Sequence, residues 1–357
     1  MSPTSNNNLL ECEALLEPDQ HYPLHITAKK YWLPEFEAHW DDEEAVTLVL
    51  LHSTSFHKET WQPTLERIFQ CSSAQSRYSS KSLKIKCAWA IDCPNHGVSA
   101  ALNDDALRQA PFYRNFGCRK YADAVHRFMS AGPRFRPMFD FRSQRLVGIG
   151  HSLGGVAITI LQNLEPAFKF SSVILVEPML SPNAEAVEPL RSILIKYAYE
   201  RRDVWPSREY AYQNLKSRQR CERWDPRVLD LYIKFGLRTH PGARHPQAPY
   251  NGVSLACSRE EEVTMYREPD GATKPVQDLD KVCSRIPVSI VFGSDNDYIP
   301  RAVQDALIDP TSGRRFSSVT RIDGVGHLVP QHKPNQLGEL IFDILANTSC
   351  LTLSSML

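Results

Sequence analysis

The chain of 357 residues has no excess of charge of either sign, because 41 lysines and arginines meet 41 aspartates and glutamates. That balance argues against general attraction to nucleic acid or to an anionic membrane. Long apolar runs are also missing, and none approaches the roughly 18 residues that cross a bilayer. There are nine cysteines and no C-x-x-C pair. A reducing intracellular compartment is therefore the simple expectation. The opening residues, Met1 to Asn8, lack the basic and apolar regions of a secretory signal. No internal repeat is present. The length allows one large domain with an insertion or two domains.

Short, β-branched runs recur along the chain, at residues 46–51, 85–91, 146–149, 172–176, 288–292 and 318–322. Most are bounded by turn residues, as buried parallel strands should be. Helical stretches separate them (121–129, 155–164, 302–307 and 335–345). Alternating strand and helix predicts an α/β fold with a mostly parallel central sheet flanked by helices. The spacing breaks between Ser181 and Lys281, where residues 191–199 and 224–235 read as helix and no strand signal returns until Val288. The expected organisation is a polar arm over 1–20, core over 21–180, a helical lid over 181–281 between strands six and seven, and core over 282–357. From Arg191 to Arg244 there are 13 Lys/Arg against 6 Asp/Glu, a local excess of +7 in a neutral chain. Such a stretch is either a solvated helical surface or a basic mouth for an anionic substrate.

The most informative segment is Leu146-Val147-Gly148-Ile149-Gly150-His151-Ser152-Leu153-Gly154-Gly155. It contains a complete G-x-S-x-G between a strand run and a helix opening, the context in which a serine nucleophile stands on a strained turn. Ser152 is the expected nucleophile. A serine hydroxyl is nearly inert at neutral pH, so it needs a base, and the base needs an orienting acid. The base expected is His327, in Gly324-Val325-Gly326-His327-Leu328-Val329-Pro330 after the last strand run. His151 lies inside the elbow itself and His332 in a polar segment beyond. Two places offer the acid: Glu177, ending the strand after the nucleophile helix, and Asp295 or Asp297, ending the next one. The residues alone leave that choice even. The oxyanion formed in the reaction needs two donors. They are expected from the amide of Leu153 and from the loop His52-Ser53-Thr54-Ser55-Phe56, with Thr54 preferred and Ser53 and Ser55 next to it.

These residues together resemble an α/β-hydrolase over roughly residues 45–346. More narrowly, Phe56-His57-Lys58-Glu59-Thr60-Trp61, Val176-Glu177-Pro178-Met179-Leu180 and Trp205-Pro206-Ser207-Arg208 resemble fungal hydrolases of toxin and secondary-metabolite pathways. That group includes acyl-CoA thioester hydrolases, and several members carry peroxisomal signals. Two positions depart from the broad pattern: Ser53 stands where a glycine is usual, and Asn296 where the acid is usual after the seventh strand. Members of the narrower group often place the acid after the sixth strand, so the resemblance tips the choice to Glu177, with Asp297 and then Asp295 as alternatives. A Glu rather than an Asp there is itself a variation. The C-terminal Ser355-Met356-Leu357 shares two positions with the peroxisomal Ser-Lys-Leu address, and peroxisome and cytosol are both open.

The expected function is hydrolysis of an ester or thioester, such as an acyl-CoA or polyketide-type acyl substrate, through an acyl-enzyme in fungal secondary metabolism. Neither metal nor organic cofactor is required. Ser53, His151 and Trp205 are expected to touch substrate. The parts would equally serve acyl transfer or carbon–carbon bond hydrolysis. A non-catalytic or slow-turnover ligand-binding protein is the reading from another class. The partner expected is a small molecule, with no nucleic acid and no membrane span, and the oligomeric state is not legible.

Overall fold

A computed structural model describes residues 8–76, 83–131, 139–244, 247 and 249–354, with side chains as far as residue 348. The C-terminal Ser355-Met356-Leu357 lies outside the described residues. Eleven strands follow one another among them: β1 (Leu10–Leu16), β2 (Ile26–Trp32), β3 (Val46–Leu51), β4 (Ile85–Ile91), β5 (Arg145–His151), β6 (Phe170–Val176), β7 (Val204–Trp205), β8 (Leu237–Thr239), β9 (Val253–Leu255), β10 (Val288–Gly293) and β11 (Ser318–Ile322). Eight form one sheet in the order β1-β2-β4-β3-β5-β6-β10-β11. From β4 to β11 all pairings are parallel, and β2 joins β1 and β4 antiparallel. Every residue of β3 and β4 is buried, so these strands read as apolar runs interrupted only by Thr47 and Lys86, not as alternation.

Helices cover both faces of this sheet. Cys118–Ser130, Leu153–Leu161 and Pro275–Cys283 share one apolar cluster with Val49, Trp89 and Leu175. Gln62–Ser76 and Pro334–Ser354 share the other with Leu48, Val147 and Ile174. Each Leu, Ile, Val or Phe fully buried there contributes about 1.5–3 kcal/mol of transfer free energy. The two layers fix the sheet as a rigid platform for groups at the carboxyl ends of its strands.

Three expectations need correction. Residues 10–16 are not a polar arm but the edge strand β1, whose glutamates face Lys29 of β2. Glu13 lies directly opposite Lys29 in the register, and the Lys29 ammonium is 2.9 Å from Glu11 and 3.5 Å from Glu13. The charges that read as a polar tail are thus cross-strand ion pairs. β2 itself also escaped the sequence reading. The segment after β6 is helical (Ala184–Glu200, Arg208–Lys216, Pro226–Phe235 and Arg259–Arg267), but it also holds an antiparallel sheet in the order β7-β9-β8. Strands of two or three residues are too short to leave a periodic signal. The helix Pro275–Cys283, which the expected lid boundary divides from the core, instead packs into it through Val276, Leu279 and Val282.

Candidate active site

β5 delivers the chain to Ser152 at φ 53°, ψ −112°, and the helix Leu153–Leu161 leaves from it. The two flanking glycines are there because nothing larger fits. A Cβ on Gly154 would lie 2.1 Å from the Leu51 carbonyl oxygen, and one on Gly150 would lie 2.3 Å from the Gly154 carbonyl oxygen. Among the described residues four non-glycine residues have positive φ: Ser55, Arg114, Ser152 and Glu177. Three of the four converge here, so backbone strain is concentrated at one place.

His327, in the loop after β11, brings Nε2 to 3.0 Å from the Ser152 hydroxyl. Its Nδ1 is 3.3 Å from Glu177 Oε2. Glu177 is buried at the end of β6, and an isolated carboxylate there would be severely destabilised. It is instead supplied with donors: the Gly293 amide at 2.6 Å and the Gln304 side-chain amide at 3.1 and 3.3 Å. The Gln304 carbonyl oxygen accepts in turn from Arg321 at 2.5 Å.

The alternative acids are otherwise engaged. Asp297 is exposed, and its carboxylate accepts from the backbone N–H of His327 at 2.8 and 3.1 Å and from that of Tyr298 at 2.6 Å. It holds the histidine's backbone, not its ring. Asp295 forms a 3.4 Å ion pair with Arg223.

Ser53, Thr54, Ser55 and Phe56 line the same cavity as Ser152 and His327. The left-handed residue of this loop is Ser55, at φ 71°, while Ser53 lies outside the positive-φ set. Serine in place of the usual glycine at 53 therefore carries no backbone strain. The loop is anchored on both sides. His52 accepts at Nε2 from the Cys93 amide at 3.0 Å, so Nδ1 carries the proton and donates to the Ser53 carbonyl at 2.8 Å. Burial pulls the His52 pKa down to about 4. On the other side Asp92 accepts from the Lys58 amide at 2.7 Å and from its ammonium at 3.2 Å, and Glu59 meets that ammonium at 2.8 Å. Burial opposes the Lys58 charge, but Asp92, Glu59 and Glu13 outweigh it and raise the pKa above the usual lysine range.

His151 is placed differently from the expectation. It is buried, is not among the cavity-lining residues, and its Nε2 is 2.9 Å from the His327 carbonyl oxygen. Burial, then the neighbouring His327, lowers its pKa well below the ordinary value. The neutral ring can thus donate to that carbonyl and brace the histidine loop. Trp205 does line the cavity, held by a 2.9 Å bond from its indole N–H to Asn214.

Several residues of the site escaped the sequence reading. Met179, Tyr298 and Ile299 lie beside the reacting groups, and Arg201, Arg202, Arg218 and Arg220 enter from the inserted segment. Gln304 had a legible signal: it shares the buried face of the helix Arg301–Ile308 with Val303 and Leu307, where an amide side chain needs a partner. Among the described residues no group of three or more His, Cys, Asp or Glu side chains is arranged to hold a metal ion.

Comparison with known proteins bears on the fold and the family. A type I acyl-CoA thioesterase of Penicillium brevicompactum is 29% identical over 230 residues, which is 64% of this chain but only 48% of that protein. An abhydrolase domain-containing protein of Alternaria alternata, AFT2-1, is 27% identical over 233 residues, covering 58% of this chain and 86% of its own length. The chain thus spans about half of the Penicillium relative. Among solved structures, the peroxisomal alpha-beta-hydrolase Lpx1 of Saccharomyces cerevisiae superposes with a TM-score of 0.68 at 18% identity, covering 95% of this chain and 89% of its own. The thioesterase domain from the curacin biosynthetic pathway gives 0.60 at 15% identity, covering 93% and 99%. Residues 48–339 match the alpha/beta hydrolase family as a whole, and the chain belongs to that family.

Proposed function

We propose that this protein is a serine hydrolase that cleaves an ester or thioester through an acyl-enzyme. The observation that carries the reading is the continuous relay from the Ser152 hydroxyl to His327 at 3.0 Å and from His327 to the buried Glu177 at 3.3 Å. Ser152 attacks the acyl carbonyl while His327 Nε2 takes its proton. Glu177 fixes the Nδ1–H tautomer and stabilises the imidazolium that forms. The amides of Leu153 and Thr54 receive the oxyanion. His327 then returns the proton to the departing alcohol or thiol, and water repeats the sequence to free the acid.

The segment between β6 and β10 acts as a lid, with Trp205, Trp224 and Tyr232 forming the apolar wall of the cavity. The acyl-CoA thioesterase relative favours an acyl-CoA donor, and the resemblance to fungal hydrolases of secondary-metabolite pathways favours a polyketide-type acyl group in fungal secondary metabolism. The peroxisome is the compartment favoured by the yeast neighbour's description. Labelling of the purified protein by a fluorophosphonate probe tests the chemistry without knowledge of the substrate. The expected result is stoichiometric labelling that vanishes in Ser152→Ala, with hydrolysis of simple esters falling by about 10⁶. An intact protein that takes no label and turns over no ester or thioester would be a binding protein of this fold.

A further inference from the structure

Most of the 13 basic residues from Arg191 to Arg244 lie away from the active-site cavity, but four of them do not. Arg201, Arg202, Arg218 and Arg220 all line the cavity that holds Ser152 and His327, and three of them line its outer mouth as well. Arg201 is answered by the buried carboxylate of Glu262. Among the described residues the other three are not paired with a carboxylate. Arg202 donates to the Val204 carbonyl at 2.9 Å, Arg218 to the Asn214 side chain at 3.2 Å, and Arg220 to the Tyr298 hydroxyl at 2.6 Å. Arg202 and Arg220 also lie over the rings of Tyr210 and Tyr197 at 5.1 and 5.8 Å, and each guanidinium has five N–H donors, of which these bonds among the described residues use one.

Among the described residues the acidic groups of the mouth form no ion pair with these three arginines. Glu200 faces Lys196 at 3.8 Å, and both Asp297 oxygens accept backbone N–H groups. Like charges that converge on a concave, partly apolar space repel one another unless an anion joins them. Tyr298 carries this mouth to the reacting centre: its hydroxyl receives Arg220, and its ring lies 6.0 Å from the His327 ring.

We propose that Arg202, Arg218 and Arg220 form a docking site for an anionic group, carboxylate or phosphate, carried by the molecule whose acyl carbonyl meets Ser152. The inference rests on the hydrolase reading above and adds to it a charge requirement on the substrate. Fork-shaped guanidiniums suit both anions, through paired N–H···O bonds. The apolar wall of Phe56, Trp224 and Tyr232 takes the uncharged portion.

Three matched thioesters test this: butyryl-CoA, with phosphates on the leaving group; butyryl N-acetylcysteamine, uncharged; and glutaryl N-acetylcysteamine, with a carboxylate on the acyl side. The expected result is a preference in kcat/KM for at least one charged thioester over the uncharged one. Preference for the first assigns the anion to the leaving group, and preference for the third to the acyl group. In Arg202→Gln/Arg218→Gln, and separately in Arg220→Gln, that preference falls on the order of tenfold, mainly through KM. Lys216→Gln removes the same charge from an exposed site of the segment that does not line the cavity, and it leaves the preference in place. Equal use of all three thioesters by an enzyme that takes the fluorophosphonate label would overturn the docking site and spare the hydrolase. A preference lost equally in Lys216→Gln would reduce the arginines to general steering and overturn it too. Absence of both label and turnover would instead sink the hydrolase reading on which it stands.

Discussion

The ends of β6 and β10 each present a carboxylate to His327, and the two carboxylates do different work. Glu177, at the end of β6, is buried, sits on a left-handed backbone at φ 45° and reaches the imidazole ring. Asp297, just beyond β10, is exposed and holds the backbone amide of the same histidine. One orients the ring and bears on its charge, while the other sets where the loop runs. Proximity to a histidine therefore does not identify a triad acid; the atom it addresses and the donors that sustain its charge do. The Gly293 amide and the Gln304 side-chain amide supply Glu177 with the donors that a buried carboxylate needs.

Replacing the two acids pulls the comparison apart. Glu177→Gln keeps the shape but removes the charge that stabilises imidazolium, and kcat on a simple ester is expected to fall by about 10³–10⁴. Asp297→Asn loses about one charge-assisted hydrogen bond to backbone, which corresponds to about a tenfold loss at most. Gln304→Leu lies between them in logic but near the lower value in size. It strips two contacts from Glu177 and is expected to slow the reaction several-fold, on the order of 1 kcal/mol, with the loss read in kcat more than in KM. His151→Phe removes the donor from the His327 carbonyl and is expected to give a drop of similar size in ester hydrolysis.

The last effect is on stability, not on rate, and concerns His332, in the short helix Val329–His332 that follows the His327 loop. Burial, with help from Arg223, pulls the pKa of His332 down to about 4, against a weaker upward pull from Asp297 and Asp295. In the unfolded chain the ring titrates near 6.5, so between these values the unfolded state binds more protons than the folded one. Its contribution is full above about pH 6.5 and is lost as pH falls toward 4. Urea denaturation between pH 7.5 and pH 4.5 should show this loss, with a shallower slope in His332→Gln.

How much of this was legible in the sequence follows from burial and from element length. The strands β3 to β6 and β10 announced themselves because a sheet covered on both faces demands apolar runs, whereas the part-exposed edge strand β11 was legible from its β-branched Val319, Thr320 and Ile322. The meeting of Ser152 with His327 was legible because the elbow and the histidine loop have local sequence signatures. β1 was not legible: its alternating Leu10, Cys12, Ala14 and Leu16 are interleaved with Glu11 and Glu13, whose partner Lys29 is known only once the strands pair. The small sheet of β7, β8 and β9 leaves two- and three-residue traces, and its cohesion comes from Trp205, Tyr232 and Leu255 meeting across the segment. The acid stayed open because Glu177 and Asp297 both follow strands and both precede turn-forming residues. Only three-dimensional placement reveals Gln304 beneath one and the His327 amide above the other. The convergence of Arg202, Arg218 and Arg220 was visible as a charge excess but not as a place.

The most direct test of the relay is the second-order rate of fluorophosphonate inactivation, measured side by side in the native protein, Glu177→Gln and Asp297→Asn. The reaction needs the activated serine and no particular substrate. Inactivation of Glu177→Gln is expected to slow by about a hundredfold or more, while Asp297→Asn stays within about tenfold of the native rate. The reverse order, with Glu177→Gln reacting at the native rate and Asp297→Asn silent, would contradict the assignment of Glu177 as the acid.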